Sequence, residues 1–121
     1  MIVMLASIVL MTSTLAQAQV VVGTTATELR HVTTGWSARR QVLGEAVFND
    51  ANEKIGTIDD VVIGPDKAVS YAIIGTGGFL NMGKHDVAIP IHQLKQINGK
   101  FVLAGATKDV LKEMSPFEYA H

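Results

Sequence analysis

Turn-forming residues recur at short intervals between positions 49 and 99 of this 121-residue chain. The turn clusters are Asn49–Asn52, Gly64–Asp66, Gly75–Gly83 and Asn98-Gly99, and all of them are rich in residue types that favour tight turns. Short runs rich in β-branched residues lie between and beyond them: Glu45–Phe48, Ile55–Ile63, Val69–Ile74, Asp86–Ile91 and Phe101–Ala104. Short strands at this spacing, without a long helical pattern between them, are typical of all-β sandwiches and barrels. We therefore predict an all-β domain.

A short helical segment is predicted on either side of these strands. Ser37–Gly44 begins with a capping residue and ends with glycine, which favours a single helical turn. Thr107 can cap a C-terminal helix of about residues 107–114, which Ser115-Pro116 would end. Three apolar residues share one face of that helix: Val110, Leu111 and Met114.

The N-terminus has the organisation of a cleaved secretory signal peptide. The apolar run Met1–Met11 is followed by a polar break and then by Ala16-Gln17-Ala18, an A-x-A site for signal peptidase. A run of about eleven residues is too short for a bilayer core, which needs roughly 20. Because no Lys or Arg precedes the run, a buried N-terminal element and a retained membrane anchor stay open as alternatives. We predict a signal peptide over residues 1–18 and a mature chain that begins at Gln19.

The segment that follows the predicted signal is rich in threonine and has no durable hydrophobic period. We interpret residues 19–35 as a flexible tether, although Val20–Val22 could add an edge strand. The globular domain is then predicted to occupy residues 36–121.

Composition and charge exclude several classes of protein. An apolar content of 48% excludes a disordered chain. The formal net charge is −1, and the basic pair Arg39-Arg40 is too small to hold a phosphate backbone, so the sequence does not support nucleic-acid binding. The absence of cysteine excludes disulfides, thiol chemistry and Cys-ligated metals.

The glycine-rich stretch from Gly75 to Pro90 admits two incompatible interpretations. Residues Gly78–Lys84 fit the G-x-x-x-x-G-K core of a phosphate-binding loop, but His85 replaces the hydroxyl residue that ligates Mg²⁺. A strand rather than a helix is predicted to follow, so we favour a glycine-rich β-hairpin in which the lysine is incidental. Its structural turn glycines would be Gly75, Gly77, Gly78 and Gly83.

No pattern in the sequence predicts a catalytic, cofactor-binding or metal-binding residue. His85 and His92 flank one predicted strand, so roughly 23 Å would separate them. Asp50–Lys54 resembles the start of an EF-hand loop, but its fifth position is lysine and its sixth is not glycine. Asp59-Asp60 lies within a predicted strand, where neighbouring side chains point to opposite faces, so the two carboxylates should not converge.

The tip of the predicted hairpin is the candidate interaction site. Its residues are Phe79, Leu80, Asn81 and Met82, an unusually apolar set for a loop. Two interpretations stay open: the tip folds back over the end of the domain, or it forms an exposed patch that contacts a partner or a membrane surface.

Several segments together resemble the PRC-barrel domain family. The opening of that domain is a short lead-in followed by two strands, and it is matched by Ser37–Gly44, Val47–Asn49 and Glu53–Val61. Its glycine-rich hairpin is matched by Val69–Leu80 and Val87–Pro90, and Thr107–Phe117 resembles the short helix that often follows. The resemblance covers about Trp36 to Tyr119.

The resemblance implies a small PRC-type β-barrel of about five to six strands with a short C-terminal helix, used as a non-catalytic adaptor. We therefore expect a periplasmic or secreted binding module that contacts a protein or envelope component, has no cofactor and leaves no transmembrane span in the mature chain. A cytosolic or membrane-peripheral adaptor is the alternative, and a phosphate- or metal-dependent hydrolase is the remote one. Self-association is a further hypothesis, because small barrels have open strand edges.

Overall fold

The computed structural model describes residues 20–77 and 83–120. The chain divides into two compact units, one reaching Thr34 and the other running from Gly35 to His121. The predicted signal peptide, residues 1–18, lies outside the described residues.

The described part of the first unit contains one short helix, α1 (Ala26–Val32). The backbone N–H of Glu28 donates to Oγ1 of Thr25, which caps the helix. None of its residues is buried, so α1 lacks the apolar stripe by which a helix is usually predicted. The sequence analysis assigned no secondary structure to this segment.

The second unit contains six strands and a helix. The strands are β1 (Ala46–Phe48), β2 (Lys54–Ile63), β3 (Ser70–Thr76), β4 (His85–Pro90), β5 (Lys95–Ile97) and β6 (Lys100–Val102). The helix is α2 (Lys108–Glu113), capped by Thr107, and it is the short C-terminal helix that the sequence predicts. A π-helical turn, Ala38–Val42, precedes β1, and a 3-10 turn, Ile91–Gln93, follows β4.

The six strands form one open, mixed sheet in the order β4-β3-β2-β1-β6-β5. Neighbouring strands are antiparallel except β1 and β6, which run parallel with Val47 opposite Phe101. The six strands agree with the predicted five to six, but the predicted barrel is an open sheet, because β4 and β5 lie at opposite ends of the order and do not pair with each other. The sheet therefore keeps two edges.

Buried side chains from every strand except β5, and from the helical segments on either side of the sheet, belong to one core. From the sheet they include Val47, Ile58, Ile74, Val87 and Phe101, and from the turn before β1 and from α2 they include Val42 and Leu111. Trp36 packs against this core, with its ring edge-on to Phe101 at a centroid distance of 4.8 Å. Burial of this apolar surface is the main favourable term for an open sheet that lacks the edge-closing hydrogen bonds of a barrel.

The turns use the residues that the sequence singled out. Asn98 and Gly99 both have positive φ (50° and 78°), as a two-residue turn between β5 and β6 requires. The buried side chain of Asn49 accepts hydrogen bonds from the N–H groups of Ala51 and Glu53, which closes the turn between β1 and β2.

Candidate functional site

The candidate site lies on the face of β2, β3 and β4 that points away from the core. Register fixes this face: Ile74 pairs with Val87, and both belong to the core, whereas the next pair along, Gly75 and Asp86, points the opposite way. We call this surface the outer face. Its residues come from three adjacent strands and the residue before β4, so distant parts of the sequence meet on it.

Lys84 lies between two carboxylates on the outer face. Its Nζ is 2.6 Å from Oδ2 of Asp59 and 3.7 Å from Oδ1 of Asp86, and about a third of each of the three side chains is exposed (36%, 31% and 35%). The hydrogen bond with Asp59, supported by the charges of both carboxylates, raises the pKa of Lys84 above its ordinary value of 10.5. Lys84 therefore carries a positive charge at neutral pH.

Gly75 makes room for this ion pair. A Cβ atom at this position would lie 2.5 Å from Oδ2 of Asp59, 2.5 Å from Cε of Lys84 and 2.9 Å from Oδ1 of Asp86. The sequence analysis predicted Gly75 as a turn glycine, but the residue lies within β3. Its role is close approach rather than backbone freedom.

A β-bulge sets the direction of the two neighbouring aspartates. The register between β2 and β3 shifts between Ile58 and Asp60, so the regular alternation of faces is broken there. Asp60 accepts a short hydrogen bond from the hydroxyl of Tyr119. The hydrogen bond to Asp60 is the largest cause that raises the pKa of Tyr119 above its ordinary value of 10.0. The negative charges of Asp86 and Asp59 raise it further. Both carboxylates therefore act on Tyr119, whereas the alternation of a regular strand predicted that they would not converge.

The last residues of the chain also belong to this site. We call residues 115–120 the C-terminal segment. Before it, Leu111 of α2 is in the core and the carbonyl of Met114 accepts a hydrogen bond from Nε2 of His85 (2.8 Å). Within it, the N–H of Phe117 donates to the carbonyl of Asp86 (2.7 Å), and Tyr119 reaches Asp60. The segment thus passes around the edge strand β4 from the core side to the outer face.

An apolar groove adjoins the ion pair on the outer face. Its volume is about 260 Å³, and its lining includes Val62, Ile63, Pro65, Tyr71, Ala88 and Phe117. Ile63 is 67% exposed, which is unusual for a large aliphatic side chain in a strand. The outer face therefore combines apolar and charged surface over adjacent positions.

Two other concave surfaces of the described residues are larger and more polar than this groove. One, of about 590 Å³, lies where β2 begins and β3 ends, with Gly56, Gly77, Lys54 and Lys108 in its lining. Another, of about 530 Å³, adjoins the hairpin of β5 and β6 and includes Asn52, Lys95 and Lys100. Lys100 donates to Oδ1 of Asn52 and lies over the ring of Phe48, so its charge is already engaged.

The candidate interaction tip of the sequence analysis, Phe79, Leu80, Asn81 and Met82, lies outside the described residues, and so does Gly78. Gly77 and Gly83, on either side, have positive φ (70° and 75°). The segment after Lys84 is the strand β4, as the hairpin interpretation predicts, and not the helix of a phosphate-binding loop.

Sequence reasoning missed the residues that meet on the outer face. Lys84 was interpreted as incidental, and Tyr119 was not considered. The only local sequence signal for this site was the adjacent pair Asp59-Asp60. The direction of these two side chains depends on the bulge, which the sequence does not indicate. No group of three or more His, Asp or Glu side chains in residues 20–77 and 83–120 is placed to hold a metal ion.

Comparison with known proteins identifies the domain. Residues 37–111, more than half of the chain, match the model of the PRC-barrel domain. The chain therefore belongs to the PRC-barrel domain family, whose domains are small and usually non-catalytic. The C-terminal segment lies beyond the matched residues. A search of curated proteins found no significant match. Within the described residues, no helix has both the length and the apolar character needed to cross a membrane.

Proposed function

We propose that this protein is a non-enzymatic, extracytoplasmic binding module that acts through contacts with a protein or another envelope component. The outer face of β2–β4 would be its contact surface. Family membership supports the general role, and the geometry of the outer face supports the choice of surface.

The observation that carries the proposal is the apolar groove beside the charged cluster. Protein contact surfaces typically combine an apolar centre with polar groups around it. Ile63 and the groove supply apolar surface, and Asp59, Lys84 and Asp86 supply fixed charges next to it.

The electrostatics of the cluster favour binding over catalysis. A lysine acts as a nucleophile or general base at neutral pH only when its pKa is lowered. The two carboxylates raise the pKa of Lys84 instead. A permanently charged lysine held by two aspartates suits recognition of a partner's polar groups.

The extracytoplasmic location is proposed from the sequence of residues 1–18, with its apolar run and A-x-A site. Cleavage there would release a chain that begins at Gln19. A cytosolic or membrane-peripheral adaptor would keep Met1 or an N-terminal anchor.

Crosslinking in intact cells, followed by fractionation and capture of the protein, tests both parts of the proposal. Ile63→Asp places a charge at the groove, and Ile97→Asp is the matched control, because Ile97 is also an exposed isoleucine (49%) but lies on β5. We expect capture of an envelope component to be lost in the first variant and kept in the second, with an intact mass that corresponds to a start at Gln19. Equal capture by both variants would contradict the choice of surface, and a mature mass that includes Met1 would contradict secretion.

A further inference from the structure

We infer that the outer face is a binding site for an extended peptide with two aromatic residues two positions apart, and that the chain's own C-terminal segment occupies this site until such a peptide displaces it. The inference rests on the proposed function, because it names the class of partner that the binding module accepts.

The C-terminal segment shows which chemistry the surface accepts. Its backbone is recognised by the carbonyl of Asp86, which accepts from the N–H of Phe117 at 2.7 Å. The side chain of Phe117 lines the apolar groove, and the hydroxyl of Tyr119 donates to Asp60. The two rings also contact each other edge-to-face, with centroids 4.9 Å apart. The carbonyl of Asp86 thus binds the backbone of the segment, the apolar groove contacts the ring of Phe117, and the carboxylate of Asp60 binds the hydroxyl of Tyr119.

The edge strand β4 offers more pairing than the segment uses. Since Asp86 directs its carbonyl outward to Phe117, the alternation of an antiparallel strand directs the N–H and C=O of Ala88 outward as well. Among the described residues, the segment makes a single backbone hydrogen bond to β4. Pro116, directly before Phe117, has no N–H to donate. A peptide that adds a full strand to this edge would form additional hydrogen bonds.

The segment is held by few contacts for its length. It has no regular secondary structure, Phe117 is half-buried, and Tyr119 is 61% exposed. Exposed residues with few buried contacts are the parts of a fold that open most readily. The segment also lies after the residues that match the family model, 37–111.

An internal occupant lowers the apparent affinity for a competing peptide in proportion to the fraction of time that the site is closed. Weakening the segment should therefore tighten binding of a peptide added in solution. Phe117→Ala combined with Tyr119→Ala removes both aromatic contacts of the segment in the full chain and leaves the residues of β2, β3 and β4 unchanged.

The test measures binding of a labelled synthetic peptide, Ser-Pro-Phe-Glu-Tyr-Ala-His, by fluorescence anisotropy. We expect the doubly substituted chain to bind it at least about tenfold more tightly than the unaltered chain. A control peptide with alanine in place of both aromatic residues should not bind. Adding Asp60→Ala to the doubly substituted chain should weaken binding of the aromatic peptide.

Several outcomes would overturn the inference. The first is that the doubly substituted chain unfolds cooperatively but does not bind the aromatic peptide. The second is that the substituted and unaltered chains bind this peptide with equal affinity, and the third is that the aromatic and alanine peptides bind with equal affinity. A dimer of the unaltered chain that Phe117→Ala dissociates would show a second copy to be the occupant, and would also overturn it.

If the double substitution prevents folding, Tyr119→Phe, which removes only the bond to Asp60, replaces it and should still tighten binding. If the aromatic peptide does not bind but Ile63→Asp still abolishes capture of the envelope component, the proposed function is supported and only the inference about the peptide is wrong.

Discussion

Glycines at two neighbouring positions of the sheet serve packing in different ways. A Cβ at Gly56 would meet rigid neighbours, the backbone oxygen of Gly75 at 2.6 Å and Cγ2 of Ile74 at 2.7 Å. A Cβ at Gly75 would meet the ends of flexible side chains, those of Asp59, Lys84 and Asp86. Gly56 therefore allows the close approach of β3, and Gly75 leaves room for the ion pair.

Gly56→Ala should destabilise the protein by about 1–3 kcal/mol, because the backbone of β3 would have to move. Gly75→Ala should cost less than about 1 kcal/mol, because the flexible side chains of this partly exposed ion pair can move apart and such pairs contribute little to stability. Urea unfolding measures both free energies. Equal costs for the two substitutions would show that the ion pair is not what Gly75 accommodates.

At the scale of elements, the C-terminal segment is held to the outer face partly by the bond from Tyr119 to Asp60. The folded protein raises the pKa of Tyr119 above 10.0. This bond therefore contributes fully below pH 10.0, and its contribution is lost as the pH rises through the raised pKa of the folded state. The segment should therefore loosen in alkaline solution.

Asp60→Asn should lower the pKa of Tyr119 toward its ordinary value, because the hydroxyl loses its hydrogen bond to a carboxylate and the charge of that carboxylate no longer opposes ionisation. Absorbance at the wavelength of tyrosinate, followed against pH, measures this change, and the variant Tyr119→Phe identifies which transition belongs to Tyr119 rather than to Tyr71. An unchanged titration of Tyr119 in the Asp60→Asn variant would mean that the two side chains do not interact in solution.

Local patterns predicted the strands better than their assembly. Turn residues and β-branched runs indicated the positions of β1–β4 and β6, and capping by Thr107 indicated α2. The strand β5 was missed because Lys95–Ile97 is short and fully exposed, so it has no apolar alternation. Whether the sheet closes depends on pairing between β4 and β5, and no local signal reports on that.

The candidate site could not be predicted for a related reason. Its charged pair joins Asp59 to Lys84, and its hydrogen bond joins Asp60 to Tyr119. Both contacts depend on the bulge in β2 and on the path of the C-terminal segment around β4. A bulge has no fixed sequence signature, and in its absence the alternation of a strand predicts the opposite arrangement.

At the scale of the whole molecule, the two edges of the open sheet are treated differently. The edge at β4 is partly covered by the C-terminal segment, in which the N–H of Phe117 donates a hydrogen bond to the outward carbonyl of Asp86. The edge at β5 is only a short strand and carries Lys95, a residue type that discourages pairing with other chains. The fold therefore directs strand addition toward β4, beside the groove and the ion pair.

The most direct test of the outer face as the binding surface is photo-crosslinking in living cells. A photoreactive amino acid would replace Ile63 in one variant and Ile97 in another, and adducts would be compared after irradiation and fractionation. The account predicts a discrete adduct from position 63 in the extracytoplasmic fraction and none from position 97. An adduct from position 97 alone, or adducts of equal yield from both positions, would contradict it.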